Sequence, residues 1–350
     1  QCISIDLSMP EGRDVLERLL ADADVLIENF LPGTLEKWGV SYEGWLRHRF
    51  PRLIHCSISG FGADGPLGGL PGYDAVLQAM CGLMSINGDS ASGPTRIGVP
   101  IVDHLTAYTA LSAILMALHS RHASGLGQYV EATLFDAALS LLVPHAANYF
   151  ESKQEPGLLG SAHPNIAPYD RFRCGDGDIF LGIMNRGQFA RFCAVVDRPG
   201  LATDERFGDN ALRIAHREVL RAEIERAIGH WQRRALCDAL MRAGVPAAPV
   251  HSVSEAFAQP HAAHRRMQRH QPWTRRTQAC GSWISALVGR LPASAKTALK
   301  PSMPTASTTD IIRAGFDDII AAIKRPNTNA PTSPRADSHV QVLNDISTLL

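Results

Sequence analysis

A single carboxylate lies where an extended apolar run turns into a helical apolar run. Asp136 falls in the segment VEATLFDAALSLL and is its only carboxylate after Glu131. Residues 130–133 favour extended structure, and the leucines and alanines of 134–142 predict a helix that is buried on most sides. Asp136 would then lie in the first helical turn, where unpaired N–H groups and the helix dipole favour an ionised carboxylate. Such an aspartate either caps its helix or does chemistry, and the segment alone leaves both open.

The net charge limits the classes of partner, and the cysteine spacing bears on metal binding and on the cellular compartment. The 350-residue chain carries 34 lysines and arginines against 34 aspartates and glutamates, so its net charge is zero. Without a basic excess, we expect neither nucleic acid nor an acidic membrane surface as a partner. The seven cysteines are scattered, without a C-x-x-C pair or zinc-like spacing. We therefore expect free thiols, no metal site and a reducing, cytoplasmic location.

The longest apolar run is too short for a membrane span. Residues 105–118 contain Thr, Tyr and Ser and stop at His119 and Arg121, short of the roughly 20 apolar residues that a span needs. We interpret this run as a buried core helix. No targeting peptide is visible, and the chain opens at Gln1 directly in a strand-helix-strand pattern. We therefore expect that an N-terminal piece precedes these residues in the full protein.

The first 150 residues predict an α/β domain with a largely parallel sheet, because short β-rich runs alternate with amphipathic helices. We predict strands at 3–7, 25–28 and 53–59, and helices at 10–23, 34–38, 42–48, 75–85 and 103–121. The loop at 60–74, GFGADGPLGGLPGYD, is too rich in glycine for regular structure. Loops of this length in compact domains are usually functional or disordered.

The pattern changes after a linker-like stretch at 151–165. A strand at 179–183, helices at 188–196, 213–228 and 232–243, and a strand after the turn AGVPAAPV predict a second domain. We divide the chain into a large α/β domain at 1–155, a small α+β domain at 156–265, a return to the large domain at 266–325 and a disordered tail at 326–350. Periodicity is weak over 268–307 and returns in an amphipathic helix pair at 309–324.

Six segments follow one another in a recognisable order. They are ADVLIENFLPGTLEKWGV, PRLIHCSISGFGADGP, GYDAVLQAMCGLMS, GQYVEATLFDAALSLL, HPNIAPYDRF and AGVPAAPV. In this order, over residues 1 to about 267, the chain resembles the family III CoA-transferases, the group of formyl-CoA transferase, carnitine CoA-transferase and the α-methylacyl-CoA racemases. The resemblance implies a Rossmann-like large domain, a smaller α+β domain and an interlocked homodimer.

The resemblance places Asp136 on the family's catalytic aspartate. It implies that this carboxylate attacks an acyl-CoA thioester and carries coenzyme A (CoA) as an aspartyl thioester to a small carboxylic acid. An aspartate suits this role because it is ionised at neutral pH and its acyl derivatives exchange readily with thiolates and carboxylates. Acyl-CoA and the acid are substrates, and no permanently bound cofactor is implied.

The segment ENFLPGTLEK resembles the family's CoA-contact region. The resemblance assigns CoA contact to Asn29, Phe30 and Leu31, although Leu31 stands where a basic residue is frequent. Lys37 stands at a position that is usually basic, so it either contacts a CoA phosphate or is a solvated surface lysine.

The segment GYD, with Gly72, Tyr73 and Asp74, resembles a further CoA-contact region and separates the branches of the family. The racemases carry histidine where this chain has Tyr73. A phenol with a pKa near 10 is a poor proton shuttle at neutral pH, which disfavours racemisation. Tyr73 either lines the pantetheine channel or packs in the core.

The segment GSAHPNIAPY resembles a loop that closes over the family's active site. Gly160, Ser161 and His163 are its candidate substrate residues, and His163 either contacts substrate or is inert. Asp103 occupies a recurring family position to which we assign no role. The family's first segment, with its first strand, is absent from residues 1–350, so two alternatives stay open beside CoA transfer. They are racemisation of a 2-methylacyl-CoA and a truncated, catalytically silent chain.

Overall fold

The computed structural model describes residues 4–270 and 277–279, which fall into two compact units. Among these residues, the first unit draws on 4–83, 97–141 and those from 264 onward, and the second on 84–96 and 142–263. Our sequence division placed 84–96 and 142–155 in the large domain, whereas here they belong to the second unit. One reason is that the Gly160 N–H donates to the Gly88 carbonyl, at 2.8 Å. The predicted helix pair at 309–324 and the predicted tail lie outside the described residues.

A parallel sheet organises the first unit. Its strands are β1 (Val25–Glu28), β2 (Ile54–Ser59) and, after a short second-unit hairpin of β3 (Gly88–Asp89) and β4 (Gly93–Pro94), β5 (Tyr129–Thr133). The order is β1-β2-β5, and both pairings are parallel. Every residue of β2 is buried, as expected for a central strand covered on both faces. The predicted α/β class with a parallel sheet is confirmed.

Helices occur in this part of the chain at positions close to those predicted. They are α1 (Pro10–Leu20), α2 (Thr34–Lys37), a π-helix (Tyr42–Leu46) that runs into α3 (Arg47–Arg49), α4 (Asp74–Met80), α5 (Leu83–Ile86) at the junction of the units, α6 (Ile101–Ser124) and α7 (Leu134–Ser140). The predicted helix at 75–85 is interrupted at Gly82, whose φ of 84° is a left-handed value that glycine adopts without strain.

The predicted strand at 3–7 is wrong over the residues that the structure describes. Only an isolated bridge forms, at Ser4. Ile5 and Leu7 instead pack into the apolar cluster that includes Leu16 and Leu20 of α1. Close contact with α1 explains this path, because a Cβ placed on Gly12 would lie 1.8 Å from the carbonyl oxygen of Asp6.

Helix α6 is buried on one face. A stripe at helical spacing, made of Val102, Thr106, Ala110, Ile114 and Ala117, is buried, and the helix packs against β2, β5, α4 and α7. Leu115 and Met116 on this helix are 56% and 66% exposed among the described residues. By length and composition alone, α6 could cross a membrane. The predicted core helix is therefore longer than expected, and the described residues cover it along one face.

The second unit is built on an antiparallel sheet. Strands β6 (Tyr169–Cys174), β7 (Gly177–Gly182) and β8 (Ala247–Pro249) pair in the order β6-β7-β8. Its helices are α8 (His145–Ser152), α9 (Arg186–Val195), α10 (Pro199–Thr203), a 3-10 turn (Glu205–Phe207), α11 (Asn210–Ala215), α12 (Arg217–Ile228), α13 (Arg233–Arg242), α14 (Val253–Ala258) and α15 (Pro260–His264). Phe172, Ile179, Phe189, Phe192 and Leu220 lie in its apolar core. Beyond it, β9 (Gln268–His270) pairs with β10 (Thr277–Ala279).

Candidate active site

Three chain segments leave the parallel sheet at the same edge. Asn29 follows β1, Gly60 follows β2 and Leu134 follows β5, and the carboxyl ends of parallel strands share one edge of a sheet. Two of these segments are joined directly, because the Phe135 N–H donates to the Gly60 carbonyl at 3.0 Å. In open α/β sheets, ligands bind in the crevice outside these strand ends. Asp136, one residue after Phe135, thus lies in the expected place for a ligand site.

The start of α7 settles whether Asp136 caps its helix. The cap is Thr133, whose side-chain oxygen accepts the Asp136 N–H at 3.2 Å. The Asp136 side chain is exposed, and its carboxylate makes no hydrogen bond or ion pair with a described residue. Because the cap is already supplied by Thr133, the carboxylate is free to meet a substrate.

A buried thiol lies close behind this carboxylate. The Sγ atom of Cys81 is 3.8 Å from the carbonyl oxygen of Phe135. Burial, and next the negative charge of Asp136, raise the pKa of Cys81 to about 11. Cys81 therefore stays a neutral thiol near pH 7, which is the less nucleophilic form of cysteine. Within residues 4–270, no three His, Cys, Asp or Glu side chains come together to hold a metal ion.

The glycine-rich loop closes on itself beside Asp136. A Cβ on Gly60 would lie 2.7 Å from the Cα of Gly72, and the reverse distance is the same, so the two ends of the loop touch only because both residues are glycine. The Gly62 N–H donates to the Ser59 hydroxyl at 2.9 Å, with Gly62 at a φ of 84°. Through Gly60, the candidate residue Gly72 is brought to the start of α7.

Tyr73 and Asp74 have opposite environments. Tyr73 is 75% exposed, which excludes packing in the core of the described residues. Asp74 is buried, and its carboxylate accepts hydrogen bonds from the Gln78 amide at 2.7 Å and the Val102 N–H at 2.8 Å. Asp74 therefore ties α4 to the first turn of α6, and this carboxylate is not presented to solvent.

The segment after β1 presents three of its four candidate residues outward. Asn29, Leu31 and Lys37 are exposed. Phe30 packs edge-on against Trp38, with ring centroids 5.3 Å apart, and its N–H is accepted by the Glu28 carboxylate at 2.8 Å. Asn29, Phe30 and Leu31 thus lie in a connection after β1 that is anchored from inside, and Lys37 is the last residue of α2.

The candidate substrate loop belongs to the second unit. Its three residues are fixed there: the Gly160 N–H bonds to Gly88, the Ser161 hydroxyl donates to the Asp170 carboxylate, and the His163 N–H donates to the Tyr169 carbonyl at 3.0 Å. The Asn165 N–H donates to the Nδ1 atom of His163 at 3.1 Å. Asp136 and Gly72 lie in the first unit, and these loop residues in the second.

Side chains on one side of α11 and α12 anchor residues 163–171. These anchoring side chains were not predicted from the sequence. Four donors recur every three or four residues, a spacing that puts side chains on one helical face. Asn210, Arg213, Arg217 and Arg221 donate to the carbonyls of Asn165, Ala167, His163 and Arg171, respectively, at 2.7–2.9 Å. The spacing N-x2-R-x3-R-x3-R was the signal that could have revealed them. The segment from 163 to 171 is thus held by side chains of its own unit.

Known proteins resemble this chain in sequence. Residues 1–297 match the sequence profile of CoA-transferase family III. A succinate–glutarate CoA-transferase of Agrobacterium fabrum is 41% identical over 258 residues, which are 74% of this chain and 64% of that protein. A succinyl-CoA:mesaconate CoA-transferase of Haloarcula hispanica is 37% identical over 76% of this chain and 67% of its own length, and human succinyl-CoA:glutarate CoA-transferase is 33% identical over 75% and 60%. The chain thus spans about three fifths to two thirds of the length of these relatives.

Solved structures agree with the sequence comparison. A CaiB/BaiF family protein from Brucella suis superposes with a TM-score of 0.66 at 40% identity, covering 76% of this chain and 70% of that one. A protein from Mycobacterium tuberculosis gives a TM-score of 0.69 at 26% identity, over 79% and 72%. The resemblance seen in the sequence is confirmed, and the chain belongs to CoA-transferase family III.

Proposed function

We propose that this protein transfers CoA from an acyl-CoA thioester to a small carboxylic acid, with Asp136 as the covalent nucleophile. The observation that carries the proposal is the exposed, unpaired carboxylate at the start of α7, whose capping role is filled by Thr133. Membership of CoA-transferase family III supplies the reaction class. A carboxylate needs no dedicated base, because it is ionised at neutral pH.

The first half-reaction loads CoA onto the enzyme. A carboxylate oxygen of Asp136 attacks the thioester carbonyl carbon, the C–S bond breaks, and CoA leaves as a thiolate from the resulting mixed anhydride. The thiolate then attacks the aspartyl carbonyl carbon of that anhydride. The donor acid leaves as a carboxylate, and an aspartyl-CoA thioester remains.

The second half-reaction runs the same steps in reverse. The acceptor carboxylate attacks the aspartyl thioester and expels the CoA thiolate, which gives a second mixed anhydride. Attack of the thiolate on the acyl carbon of the acceptor forms the new thioester and restores the Asp136 carboxylate. No net proton is consumed, so the site needs no separate acid or base.

We propose a small dicarboxylic acid as the acceptor. The relatives are named for transfer involving succinate and glutarate, mesaconate, and oxalate, which are all dicarboxylic acids. These acids share two carboxyl groups on a short chain, which favours a short dicarboxylate over a longer fatty acid as the acceptor.

Trapping the intermediate tests this function. The full chain is incubated with succinyl-CoA and glutarate, and glutaryl-CoA is measured by chromatography. Hydroxylamine or borohydride added during turnover is expected to modify Asp136, and mass spectrometry of the peptide locates the site. Labelling at another residue, or turnover without labelling, contradicts the assignment. A folded chain that binds no CoA supports the catalytically silent alternative.

We also propose that the protein acts as a homodimer. Leu115 and Met116 leave apolar surface exposed on α6 among the described residues, and burial of such surface favours association. Light scattering after size-exclusion chromatography measures the mass. A mass near 38 kDa at micromolar concentration contradicts the dimer.

A further inference from the structure

A buried carboxylate lies at the carboxyl end of β1, directly before the turn with the candidate CoA-contact residues. The Glu28 side chain is 9% exposed. Its Oε2 atom accepts the Phe30 N–H at 2.8 Å, which closes the backbone of Asn29 and Phe30 into a turn. The mechanism proposed above does not use Glu28.

A histidine on the neighbouring strand faces the second oxygen of Glu28. The Nε2 atom of His55 is 3.4 Å from Oε1 of Glu28, and the His55 side chain is 5% exposed. Neither ring nitrogen makes a hydrogen bond with a described residue. The ring packs against Tyr42 and Tyr129, with centroids 5.9 and 5.2 Å away. His55 is thus held beside the carboxylate by aromatic packing.

The strand register explains why these polar groups share one face. Glu28 aligns with Ser57 and Glu131 across the sheet, while His55 aligns with Leu26 and Tyr129. Side chains two residues apart on a strand point to the same face, so His55 and Ser57 of β2 lie on the face that carries Glu28. A buried carboxylate costs free energy unless hydrogen bonds and a basic group compensate. The Phe30 N–H supplies a hydrogen bond to one oxygen of Glu28, and the His55 ring lies 3.4 Å from the other.

We infer that Glu28, paired with His55, is a positioning residue that holds the Asn29–Phe30 turn in the conformation that accepts CoA. The inference rests on the proposed function, because it needs CoA to bind at this edge of the sheet. A turn ordered before binding saves the entropy cost of ordering it on binding. Loss of the anchor is therefore expected to weaken CoA binding while leaving the chemistry at Asp136 intact.

Calorimetric titration with CoA, combined with steady-state kinetics, tests this role on the full chain. Glu28→Ala is expected to raise Kd for CoA and KM for acyl-CoA by about tenfold, with kcat changed less than about twofold. Glu28→Gln keeps an oxygen for the Phe30 N–H and is expected to restore most of the affinity. Glu43→Ala is the matched control, because Glu43 is 73% exposed and forms its ion pair with Arg47.

The outcomes separate the inference from the function. Unchanged affinity in a folded Glu28→Ala variant, beside normal binding by the unaltered chain, overturns the inference alone. No CoA binding by the unaltered chain overturns both the inference and the proposed function. A loss in kcat as large as the change in KM overturns the positioning role. Hydrogen exchange of the Phe30 amide needs no variant, and exchange as fast as that of a free loop amide also overturns the inference.

Discussion

Asp136 in the first unit and Asp170 in the second place the same side chain in opposite surroundings. Asp170 is 3% exposed, and its oxygens accept hydrogen bonds from the Ser161 hydroxyl, the Arg171 N–H and the Arg221 guanidinium. Asp136 is exposed and its carboxylate meets no described donor. Donors that saturate a carboxylate stabilise it as an anion and shield it from electrophiles. The comparison shows that the Asp136 carboxylate, unlike that of Asp170, is not occupied by described structural partners, which the proposed function requires.

Asp74 has surroundings like those of Asp170, although the resemblance assigns it to CoA contact. The motif GYD offered Asp74 as a contact residue, yet its buried carboxylate already accepts bonds from Gln78 and Val102. The Asp103 N–H is a third donor, at 3.4 Å, so Asp74 is like Asp170 in burial and in number of donors. We therefore expect Asp74 to serve stability, with Tyr73 as the exposed member of the pair.

The largest expected effect comes from Asp136. Asp136→Ala is expected to lower CoA transfer by at least about 10³-fold, because the proposed mechanism makes its covalent bond through this carboxylate. The free energy of unfolding should change by less than about 0.5 kcal/mol, since the side chain is exposed and Thr133 keeps the cap. Glutaryl-CoA formation and urea unfolding measure the two quantities. Asp22→Ala, at an exposed site, is the control. Substantial activity in Asp136→Ala would contradict the contrast drawn between Asp136 and Asp170.

Asp170 should show the reverse pattern. Asp170→Ala removes the acceptor of Ser161, Arg171 and Arg221, so we expect the free energy of unfolding to fall by about 3 kcal/mol. Urea unfolding followed by circular dichroism measures this loss. Glu223→Ala, which breaks an exposed pair with Arg226, is expected to cost under about 0.5 kcal/mol. Equal losses in the two variants would contradict the structural role of Asp170.

Substitution of Asp74 is expected to lower the free energy of unfolding by less than substitution of Asp170. Asp74→Asn can place an amide NH₂ against the Val102 N–H or the Gln78 amide, which leaves a buried donor unpaired and costs about 2 kcal/mol in unfolding free energy. CoA affinity, measured by titration, is expected to change less than about twofold. A large loss of affinity with full stability would instead support the contact role that the motif suggested.

Local patterns in the sequence predicted β1 and the start of α7 because each depends on neighbouring residues. The cap at Thr133 was also readable, since T-x-x-D before an apolar run is a helix-start pattern. Strand β6 was missed although Gly175 and Asp176 form a two-residue turn that is typical of a hairpin. The burial of Asp74 was not predictable in this way, because its donor at Val102 lies 28 positions along the chain. Such contacts depend on tertiary packing.

The smallest effect is expected at Asp103, because its burial is intermediate between that of exposed Asp136 and that of buried Asp170. It is partly buried, and its carboxylate makes no hydrogen bond with a described residue. Burial, and next the charge of Asp74, raise its pKa above the ordinary value near 4, while His104 acts in the opposite direction. Above the raised pKa the Asp103 carboxylate is ionised in both the folded and the unfolded state. Only in the folded state does the partly buried charge cost free energy. The penalty shrinks as the pH falls through the raised pKa and is gone below the ordinary value.

Asp103→Asn is therefore expected to raise the free energy of unfolding at pH 7 by less than about 1 kcal/mol, and this gain should vanish at or below about pH 4. Urea unfolding at the two pH values measures it. In an Asp74→Asn background the gain at pH 7 should be smaller, because the repulsive neighbouring charge is gone. A gain that is the same at both pH values would mean that ionisation of Asp103 does not cause it. Partial burial without hydrogen-bond partners would then not be enough to give a carboxylate an effect on stability intermediate between those of Asp136 and Asp170.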